Sequence, residues 1–311
     1  MSFISLDFVA LFVCTFILYH TLNPKHKKTI LLAASFIFIG FYHIAFLVIA
    51  LIISLFTFFW VKYIEQSKNE KVSKRRYISG ICFLILCWLS SRYAPQFIPT
   101  AKFLLFPLGI SFYTFQALAY LTEIYWKEER AERNPVNFLV YMLFFMKFLS
   151  GPIERSDNML PQLKKQESVD YQSIVYGMKL IIVGLIKKLI LADYLSSYID
   201  VIFNSVHTAS GAQLLMACLL YPIELYGDFS GYTDIALGGA RMFGFKLNPN
   251  FNRPFIAQTT SDFWRRWHIS LSFWVRDYLY LPLSSSMRGW GQWGVFISLI
   301  LTFTGLGIWH G

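Results

Sequence analysis

The sequence predicts an all-α protein, a polytopic bundle of membrane-embedded helices. Of its 311 residues, 56% are hydrophobic and 19% aromatic, whereas only 15% are charged. Soluble domains carry about 25% charged residues. Long uncharged runs reach the roughly 20 residues that a helix needs to cross a bilayer. This composition argues against a disordered chain and against an ordinary soluble enzyme.

The net charge of +10 fits the same fold class. Lys and Arg cluster between the apolar runs, as the positive-inside rule predicts for cytoplasmic loops. In a soluble protein this charge would suggest nucleic acid, but its placement favours membrane lipid as the partner and no nucleic acid. The cysteines lie within apolar runs without a CxxC motif, which predicts small buried side chains: Cys14, Cys82, Cys87 and Cys218.

The first apolar run, Phe3 to Tyr19, contains one charged residue, Asp7. No basic segment precedes it and no small-residue cleavage site follows it, so the pattern predicts an uncleaved helix. Lys25, Lys27 and Lys28 come next and place this end in the cytoplasm and the N-terminus outside.

The second run, Thr29 to Val61, carries no Asp, Glu, Lys or Arg. As one helix it would be about 50 Å long, whereas the apolar core of a bilayer is about 30 Å thick. We therefore predict a break at residues 40–43. The following segment, Lys62 to Arg76, is polar and basic and is predicted to be a cytoplasmic loop.

Tyr77 to Ser91 is predicted to lead outward, with a turn at Pro95 and Pro99. Phe103 to Thr122 is predicted to return to the charged loop Lys127 to Arg133. The later apolar runs are shorter or contain charges, apart from the last one: Phe138–Phe148, Ile174–Leu191, Leu214–Phe229 and Gln292–Trp309. In total we predict about nine or ten embedded helices, some of them re-entrant, in one domain over residues 1–311.

Ionisable residues within membrane segments are costly and indicate function by default. The first block of such residues is Ser150 to Arg155. Its Gly151–Pro152 pair predicts the end of the preceding helix. Glu154 and Arg155 then form a charged pair beside an apolar segment, and a surface loop is the alternative interpretation.

The second block runs from Tyr226 to Arg241. Asp228 and Asp234 are six residues apart and point in different directions on a helix, whereas Asp234 and Gly238 share a face. The glycines of this block allow close helix approach. Asp234 and Arg241 each need another charged partner, for which we consider two cations: Arg253 and Lys246. A structural ion-pair network and a functional site both remain open.

The third block is Asp262 to Tyr278. Its large apolar residues are spaced 4, 4, 3 and 4 apart, which predicts one face of a single amphipathic helix: Phe263, Trp267, Leu271, Trp274 and Tyr278. Ser261 or Asp262 is the expected N-cap. Such a helix would lie near the membrane interface.

Three arginines of this block are candidates to reach lipid head groups or a partner: Arg265, Arg266 and Arg276. His268 lies among them and fits either a hydrogen-bonded structural histidine or a functional one. The fourth block ends the last apolar run with Trp309 and His310. A neutral imidazole suits a base near pH 7, and interfacial anchoring is the alternative.

The four blocks together resemble the membrane-bound O-acyltransferase (MBOAT) family, in particular its bacterial alginate O-acetyltransferase type, with the D-alanyl-lipoteichoic-acid type as a neighbour. The matching segments are Ser150–Arg155, Asp228–Asp234, Asp262–Pro282 and Gly307–Gly311. The resemblance implies a helical membrane bundle around a tunnel. It also implies that His310 is the general base or acceptor-activating residue and that His268 is an accessory residue on a short embedded helix near the cytoplasmic face.

The resemblance further implies transfer of an acyl group, such as acetyl, to hydroxyls of an extracytoplasmic polysaccharide, as in alginate O-acetylation. The donor would be a cytoplasmic thioester, acetyl-CoA or an acyl carrier, and an extracytoplasmic acetyltransferase would be the partner. The location would be the bacterial inner membrane. The candidate substrate- or partner-binding residues are Arg265, Arg266, Arg276, Asp228 and Asp234. The sequence contains no Gly-x-Ser-x-Gly motif and no dense metal-ligand cluster, so we expect no cofactor.

Three alternatives remain open. The first is transfer of D-alanyl or another acyl group to a different cell-envelope polymer. The second is a transporter or channel, in which broken helices and buried Asp residues are also common. The third is a scaffold whose arginines dock an acidic carrier protein. Members of the family continue beyond the Trp-His-Gly motif, so we expect this chain to lack C-terminal helices.

Overall fold

The computed structural model describes residues 1–97, 109–165 and 169–310, and its side-chain description omits residues 94–97 and 310. These ranges contain helices and no strand, which confirms the all-α prediction. In chain order the helices are α1 Leu6–Thr21, α2 Lys27–Tyr42, α3 Ile44–Glu65, α4 Glu70–Phe97, α5 Ile110–Trp126, α6 Pro135–Leu143, α7 Ser156–Lys165, α8 Tyr171–Leu185, α9 Asp193–Asn204, α10 Gly211–Met242, α11 Thr260–Arg266, α12 Ile269–Val275, α13 Leu281–Ser286 and α14 Gln292–His310.

The predicted break in the second apolar run is confirmed. α2 ends at Tyr42 and α3 begins at Ile44. His43 between them has an extended backbone and is the N-cap of α3, because its Nδ1 accepts the N–H of Ala45 at 3.2 Å. An uncharged stretch too long for one bilayer crossing therefore forms two separate helices.

Two helices within the described ranges are long and apolar enough to cross a membrane, Ile44–Glu65 and Gln292–Trp309. The first apolar helix, α1, is shorter at 16 residues. The expected total of about nine or ten embedded helices stays a prediction, because length and composition identify only these two crossings.

The basic segment Lys62 to Arg76 is mostly helical, so the predicted loop is wrong in its bounds. α3 continues to Glu65 and α4 starts at Glu70, which leaves residues 66–69 between them. The indole Nε1 of Trp60 donates to the carbonyl of Arg76 at 2.9 Å. This bond across the turn holds together two helix ends whose polar composition resembles that of a loop.

The turn predicted at Pro95 is also displaced, because α4 continues through Pro95 to Phe97. A proline removes one helical hydrogen bond but does not always end a helix. Pro99 and the predicted start of the returning helix at Phe103 lie outside the described residues. The returning helix is described from Ile110 onward as α5.

The main core lies where α2, α3, α5 and α6 meet. Wholly buried aromatic side chains dominate it, including Phe38, Tyr113, Tyr120, Phe138 and Tyr141. Between helices in a membrane, close packing rather than removal of side chains from water holds such a cluster together. The cluster therefore fixes the relative positions of these four helices, on which the candidate site depends.

α6 ends at Leu143, well before the helix stop predicted at Gly151–Pro152. The reason is a side chain of α2: the hydroxyl of Ser35 accepts the N–H of Phe145 at 3.1 Å. The chain then forms a compact turn, in which the N–H of Gly151 donates to the carbonyl of Lys147 at 3.2 Å.

α8 and α10 pack very closely along their glycines. A Cβ atom on Gly238 would lie 2.5 Å from the carbonyl oxygen of Gly177, and one on Gly231 would lie 2.8 Å from that of Gly184. This confirms the expectation that the glycines of the second block allow close approach of helices. A π-helical segment, Ile186–Ala192, joins α8 to α9.

The prediction of buried cysteines is wrong, because none of the four is fully buried. Cys14, Cys82 and Cys218 are exposed and Cys87 is half-buried. A small apolar thiol suits a helix surface that faces lipid as well as it suits a protein core. The apolar runs therefore predicted the helices correctly but not which face of each helix is covered by protein.

Candidate active site

Parts of all four sequence blocks meet at one place. A small apolar cluster has Ile153 of the first block and Leu271 and Val275 of the third at its centre. Trp309, which precedes His310 in the fourth block, packs against this centre together with five further side chains: Phe112, Phe115, Trp274, Leu279 and Leu306. The second block adds Phe229, whose ring centroid lies 4.8 Å from that of His268.

His268 is buried, with 6% of its surface exposed. It lies between α11 and α12 in a left-handed conformation with φ of 41°. The single amphipathic helix predicted over Asp262–Tyr278 is therefore wrong, because the chain breaks at this residue. The predicted N-cap is also wrong, since the hydroxyl of Thr259 accepts the N–H of Asp262 at 3.1 Å.

The break at His268 is stabilised by Asn250, whose surface is wholly buried. Its backbone carbonyl accepts the N–H of Ile269 at 2.9 Å, and its side-chain Oδ1 accepts the N–H of Ser270 at 3.2 Å. These bonds replace the helical bonds that a continuous helix would make. The hydroxyl of Ser270 in turn accepts the N–H of Ile153 at 3.0 Å, which joins the first block to the third.

The end of α14 is anchored beside this turn. The ring of Phe115 lies 4.4 Å from that of Trp274 and 5.2 Å from that of Trp309. The Trp309 carbonyl accepts a bond from Nη1 of Arg92 at 3.0 Å. His310 is the last residue of α14, and its side chain lies outside the described residues. The fold thus brings the backbone of the predicted base close to the element that carries His268.

Asp228 and Asp234 pair with lysines that the sequence analysis did not assign to them. Asp234 binds Nζ of Lys187 at 2.6 Å, and Asp228 binds Nζ of Lys188 at 2.5 Å. The suggested partners Arg253 and Lys246 are therefore wrong. Close packing at the glycines brings the end of α8 against α10, so the two lysines reach the two carboxylates.

The three candidate arginines lie in different surroundings. Arg266 pairs with Asp262 at 2.9 Å and Arg276 pairs with Asp277 at 2.6 Å. Arg265 is exposed and has no ion-pair partner within the described ranges. Arg265 is thus the arginine of this block best placed to contact an external group.

Glu154 and Arg155 are not part of a surface loop. Glu154 is 1% exposed and accepts bonds from the backbone N–H of Asn248 at 3.0 Å and from its Nδ2 at 2.7 Å. Arg155 pairs with Asp277 instead. The first block therefore supports the segment that leads to Asn250 on one side and the helix end after α12 on the other.

A further polar network lies next to the site. The hydroxyl of Ser156 is 2.9 Å from a carboxyl oxygen of Glu123 and 2.7 Å from one of Glu129. The hydroxyl of Tyr278 donates to Glu123. Ser156 has one hydrogen to donate, so both contacts are full hydrogen bonds when one carboxyl is protonated and donates to Ser156. Because Glu123 already accepts the Tyr278 bond, we assign the proton to Glu129.

Burial raises the pKa of Glu129 to about 7, and the negative charges of Glu123 and Asp157 add to this effect, whereas Ser156 and Lys164 oppose it. Its ordinary pKa is 4.5. Ionising the Glu129 carboxyl costs free energy in the folded protein but not in the unfolded chain. The folded state is therefore destabilised as the pH rises from 4.5 through about 7.

We expect Glu129→Gln to raise the melting temperature of the purified protein at pH 8, with a much smaller effect at pH 5. Gln donates from Nε2 to Ser156 as the protonated acid does and cannot ionise. The gain at pH 8 should be on the order of 1 kcal/mol, allowing for solvent screening of a half-buried group. The matched control is Glu128→Gln at the exposed neighbouring position. An equal gain for both variants, or one independent of pH, would contradict this assignment.

No group of three or more His, Cys, Asp or Glu side chains placed to hold a metal ion occurs in the part of the chain that the structure describes. The residues named here as holding the site are Asn250, Glu154, Ser156 and the lysines of the π-helical segment. Of these, Glu154 gave a signal in the sequence as part of the first block, and the lysines gave one as charges within an apolar run, whereas Asn250 and Ser156 gave none.

A sequence model of the membrane-bound O-acyltransferase family matches residues 31–311. The chain is 33% identical over 315 residues to the probable alginate O-acetylase AlgI of Pseudomonas fluorescens, covering 100% of this chain and 62% of that protein. It is 32% identical over 325 residues to a peptidoglycan O-acetyltransferase of Helicobacter pylori, covering 93% and 61%. It is 33% identical over 212 residues to a teichoic acid D-alanyltransferase of Bacillus subtilis, covering 66% and 53%. The chain thus spans 62% of the length of the first of these relatives.

Proposed function

This chain belongs to the membrane-bound O-acyltransferase family, and we propose that it transfers an acyl group from a thioester to a hydroxyl at the bacterial inner membrane. The observation that carries this proposal is the meeting of the four sequence blocks. The buried His268 turn, the Ile153 segment, Phe229 and the Trp309 end of α14 lie around one apolar cluster.

Acyl transfer from a thioester to a hydroxyl requires few side chains of the protein. The oxygen of the acceptor hydroxyl attacks the acyl carbonyl carbon, the bond from this carbon to the leaving sulfur breaks, and the thiolate takes up a proton. A hydroxyl is a weak nucleophile until a positioned base accepts its proton. His310 is proposed as this base and His268 as the residue that handles the donor. The apolar cluster excludes water, which would otherwise hydrolyse the acyl group.

The acceptor is proposed to be a cell-envelope polysaccharide and the group acetyl. The names of two relatives specify O-acetylation, of alginate and of peptidoglycan, and the third specifies D-alanyl transfer to teichoic acid. Their common element is an acyl group added to an envelope polymer. Such an acceptor lies outside the membrane while thioesters are made inside, so we propose an extracytoplasmic acetyltransferase as the partner that receives the acyl group.

The test uses inverted membrane vesicles that contain the whole protein, supplied with acetyl-CoA carrying a labelled acetyl group. We expect loss of labelled thioester and appearance of label in acid-stable ester on an added polysaccharide or on the partner. Vesicles with the His310→Ala variant at equal protein level are the control. If wild-type vesicles consume neither acetyl-CoA nor an acyl-carrier thioester, the proposal fails, and a transporter or a docking scaffold becomes the better explanation.

We expect Arg265 to face the cytoplasm, as the positive-inside rule predicts for this basic block. In a variant whose native cysteines are replaced by serine, Arg265→Cys should react with a membrane-impermeant maleimide in inverted vesicles and not in spheroplasts. Ile4→Cys, near the N-terminus predicted to lie outside, should show the opposite pattern. Labelling of Arg265→Cys in spheroplasts would overturn the proposed orientation.

A further inference from the structure

A small basic pocket lies where α1, α2 and α7 meet the segment after α10. Its cavity volume is about 10 Å³, room for roughly one water molecule beneath an open mouth, and its lining includes Tyr19, Lys27, Lys28, Gln162, Phe243 and Gly244. This pocket is separate from the apolar cluster around His268, and none of the four sequence blocks contributes to its lining. Neither the family nor the proposed reaction accounts for it.

Lys27 and Lys28 differ from the lysines of the exposed loops. Both are half-buried, whereas Lys25, two residues earlier, is exposed. Nζ of Lys27 lies 4.9 Å from the centroid of the Tyr19 ring, and this ring is itself fixed, because its hydroxyl donates to the carbonyl of Phe243 at 2.9 Å. The Lys27 ammonium group is therefore held at the pocket by a cation–π contact.

Within the described residues, no carboxylate compensates the positive charge of the pocket. Within the described ranges, no acidic side chain lines the pocket, none occurs in the first turn of α2, and no ion pair includes Lys27 or Lys28. Lys164 of α7 is neutralised by an ion pair with Glu132 at 2.9 Å. Lys246, which directly follows the lining residue Phe245, is exposed and forms no ion pair within the described ranges. Two partly desolvated ammonium groups that pair with no carboxylate of the described residues favour the binding of an anion.

The position of the pocket indicates which kind of anion would suit it. It lies between the end of α1 and the start of α2, two apolar helices, and therefore at the depth of the lipid head groups. The lysines after α1 are predicted to be cytoplasmic, and basic pockets between membrane helices on that side suit phospholipid head groups. Two apolar side chains also line this pocket, Leu31 and Leu163.

We propose that the open mouth of this pocket, where the two lysines lie, binds a phosphate group supplied by an anionic phospholipid of the inner leaflet. The lysines bind the phosphate oxygens, and Gln162 links the pocket to the rest of the molecule. Its Oε1 accepts the N–H of Lys246 at 2.8 Å and its Nε2 donates to the carbonyl of Lys246 at 3.0 Å. Lys246 begins the segment that continues to Asn248 and Asn250, so a bound phosphate stabilises the chain that supports the His268 turn.

The experiment measures the melting temperature of the whole purified protein in detergent with graded phosphatidylglycerol, phosphatidylcholine or inorganic phosphate. Phosphatidylglycerol should raise the melting temperature of the wild type, as any ligand of the folded state does. The Lys27→Gln/Lys28→Gln variant should lose at least half of this increase, and Lys27→Arg/Lys28→Arg should retain it. The matched control is Lys71→Gln/Lys74→Gln, which removes two exposed lysines elsewhere and should respond as the wild type does.

Inorganic phosphate alone could raise the melting temperature as much as phosphatidylglycerol does. If the Lys27→Gln/Lys28→Gln variant then loses this increase, the phosphate site is supported and free phosphate is identified as its source. The inference is overturned if neither phosphate compound raises the melting temperature. It is equally overturned if phosphatidylcholine acts as strongly as phosphatidylglycerol, if the Lys27→Gln/Lys28→Gln variant responds as fully as the wild type, or if the control variant loses as much. None of these outcomes depends on acyl transfer, so the result is independent of the proposed function.

Discussion

Replacement of His310 by alanine is expected to abolish acyl transfer in membranes from cells that express the whole protein, without lowering the amount of protein. A positioned general base contributes about 10²–10⁴-fold to the rate, so removal of the base should bring acetylation below detection. His310 is proposed for this role because it ends α14 directly after Trp309, which packs at the cluster beside the His268 turn. The measurement is incorporation of labelled acetyl groups per unit of protein.

The control for this variant is His207→Ala. His207 is exposed and lies between α9 and α10, so its removal should leave the rate unchanged. If His310→Ala accumulates normally and acetylates at the wild-type rate, His310 is not the base. A loss of activity in both variants would indicate general damage rather than removal of a base.

Variants of His268 are expected to separate two parts of the reaction. His268→Ala should impair consumption of the thioester more than activation of the acceptor, which assays of donor hydrolysis and of transfer can distinguish. The left-handed backbone at this position makes His268→Asn a useful comparison, since Asn tolerates that conformation better than Ala does. Recovery of the melting temperature but not of activity in His268→Asn would show that the imidazole itself is needed.

The sequence predicted those features of the fold that depend on local composition. An uncharged run of excessive length required a break, and the break occurs at His43. The glycines of the second block indicated close helix packing, and Gly231 and Gly238 lie against glycines of α8. Both features follow from length or side-chain size along the chain, which a single sequence contains.

The sequence did not predict features that depend on long-range partners. The 3.6-residue pattern continues through His268 without interruption, and Asn250, 18 positions earlier, provides acceptors for the N–H groups of Ile269 and Ser270 where the helix breaks. The partners of Asp228 and Asp234 were missed for the same reason. Which lysine reaches them depends on the packing of α8 on α10, and this packing is not visible as a local pattern.

Gly238→Ala is expected to destabilise the protein strongly, although alanine normally favours a helix. In a helix interior, alanine is more stable than glycine by up to about 1 kcal/mol. Here the new Cβ would lie 2.5 Å from the carbonyl oxygen of Gly177, and neither backbone can move without separating α8 from α10. Overpacking of this kind costs about 1–3 kcal/mol or more. Separation would also stretch the Lys187–Asp234 pair, now 2.6 Å long.

The net result should be a melting temperature lower by roughly 3 °C in the purified protein, from a loss of about 2 kcal/mol. Gly211→Ala is the matched control, because Gly211 is on the same helix with nothing within 4 Å of the new Cβ; it should be neutral or slightly stabilising. The Gly177→Ala/Gly238→Ala double variant should lose less than the sum of the single losses, since the first substitution already separates the helices. Equal melting temperatures for Gly238→Ala and Gly211→Ala would mean that the two helices do not approach as closely as described.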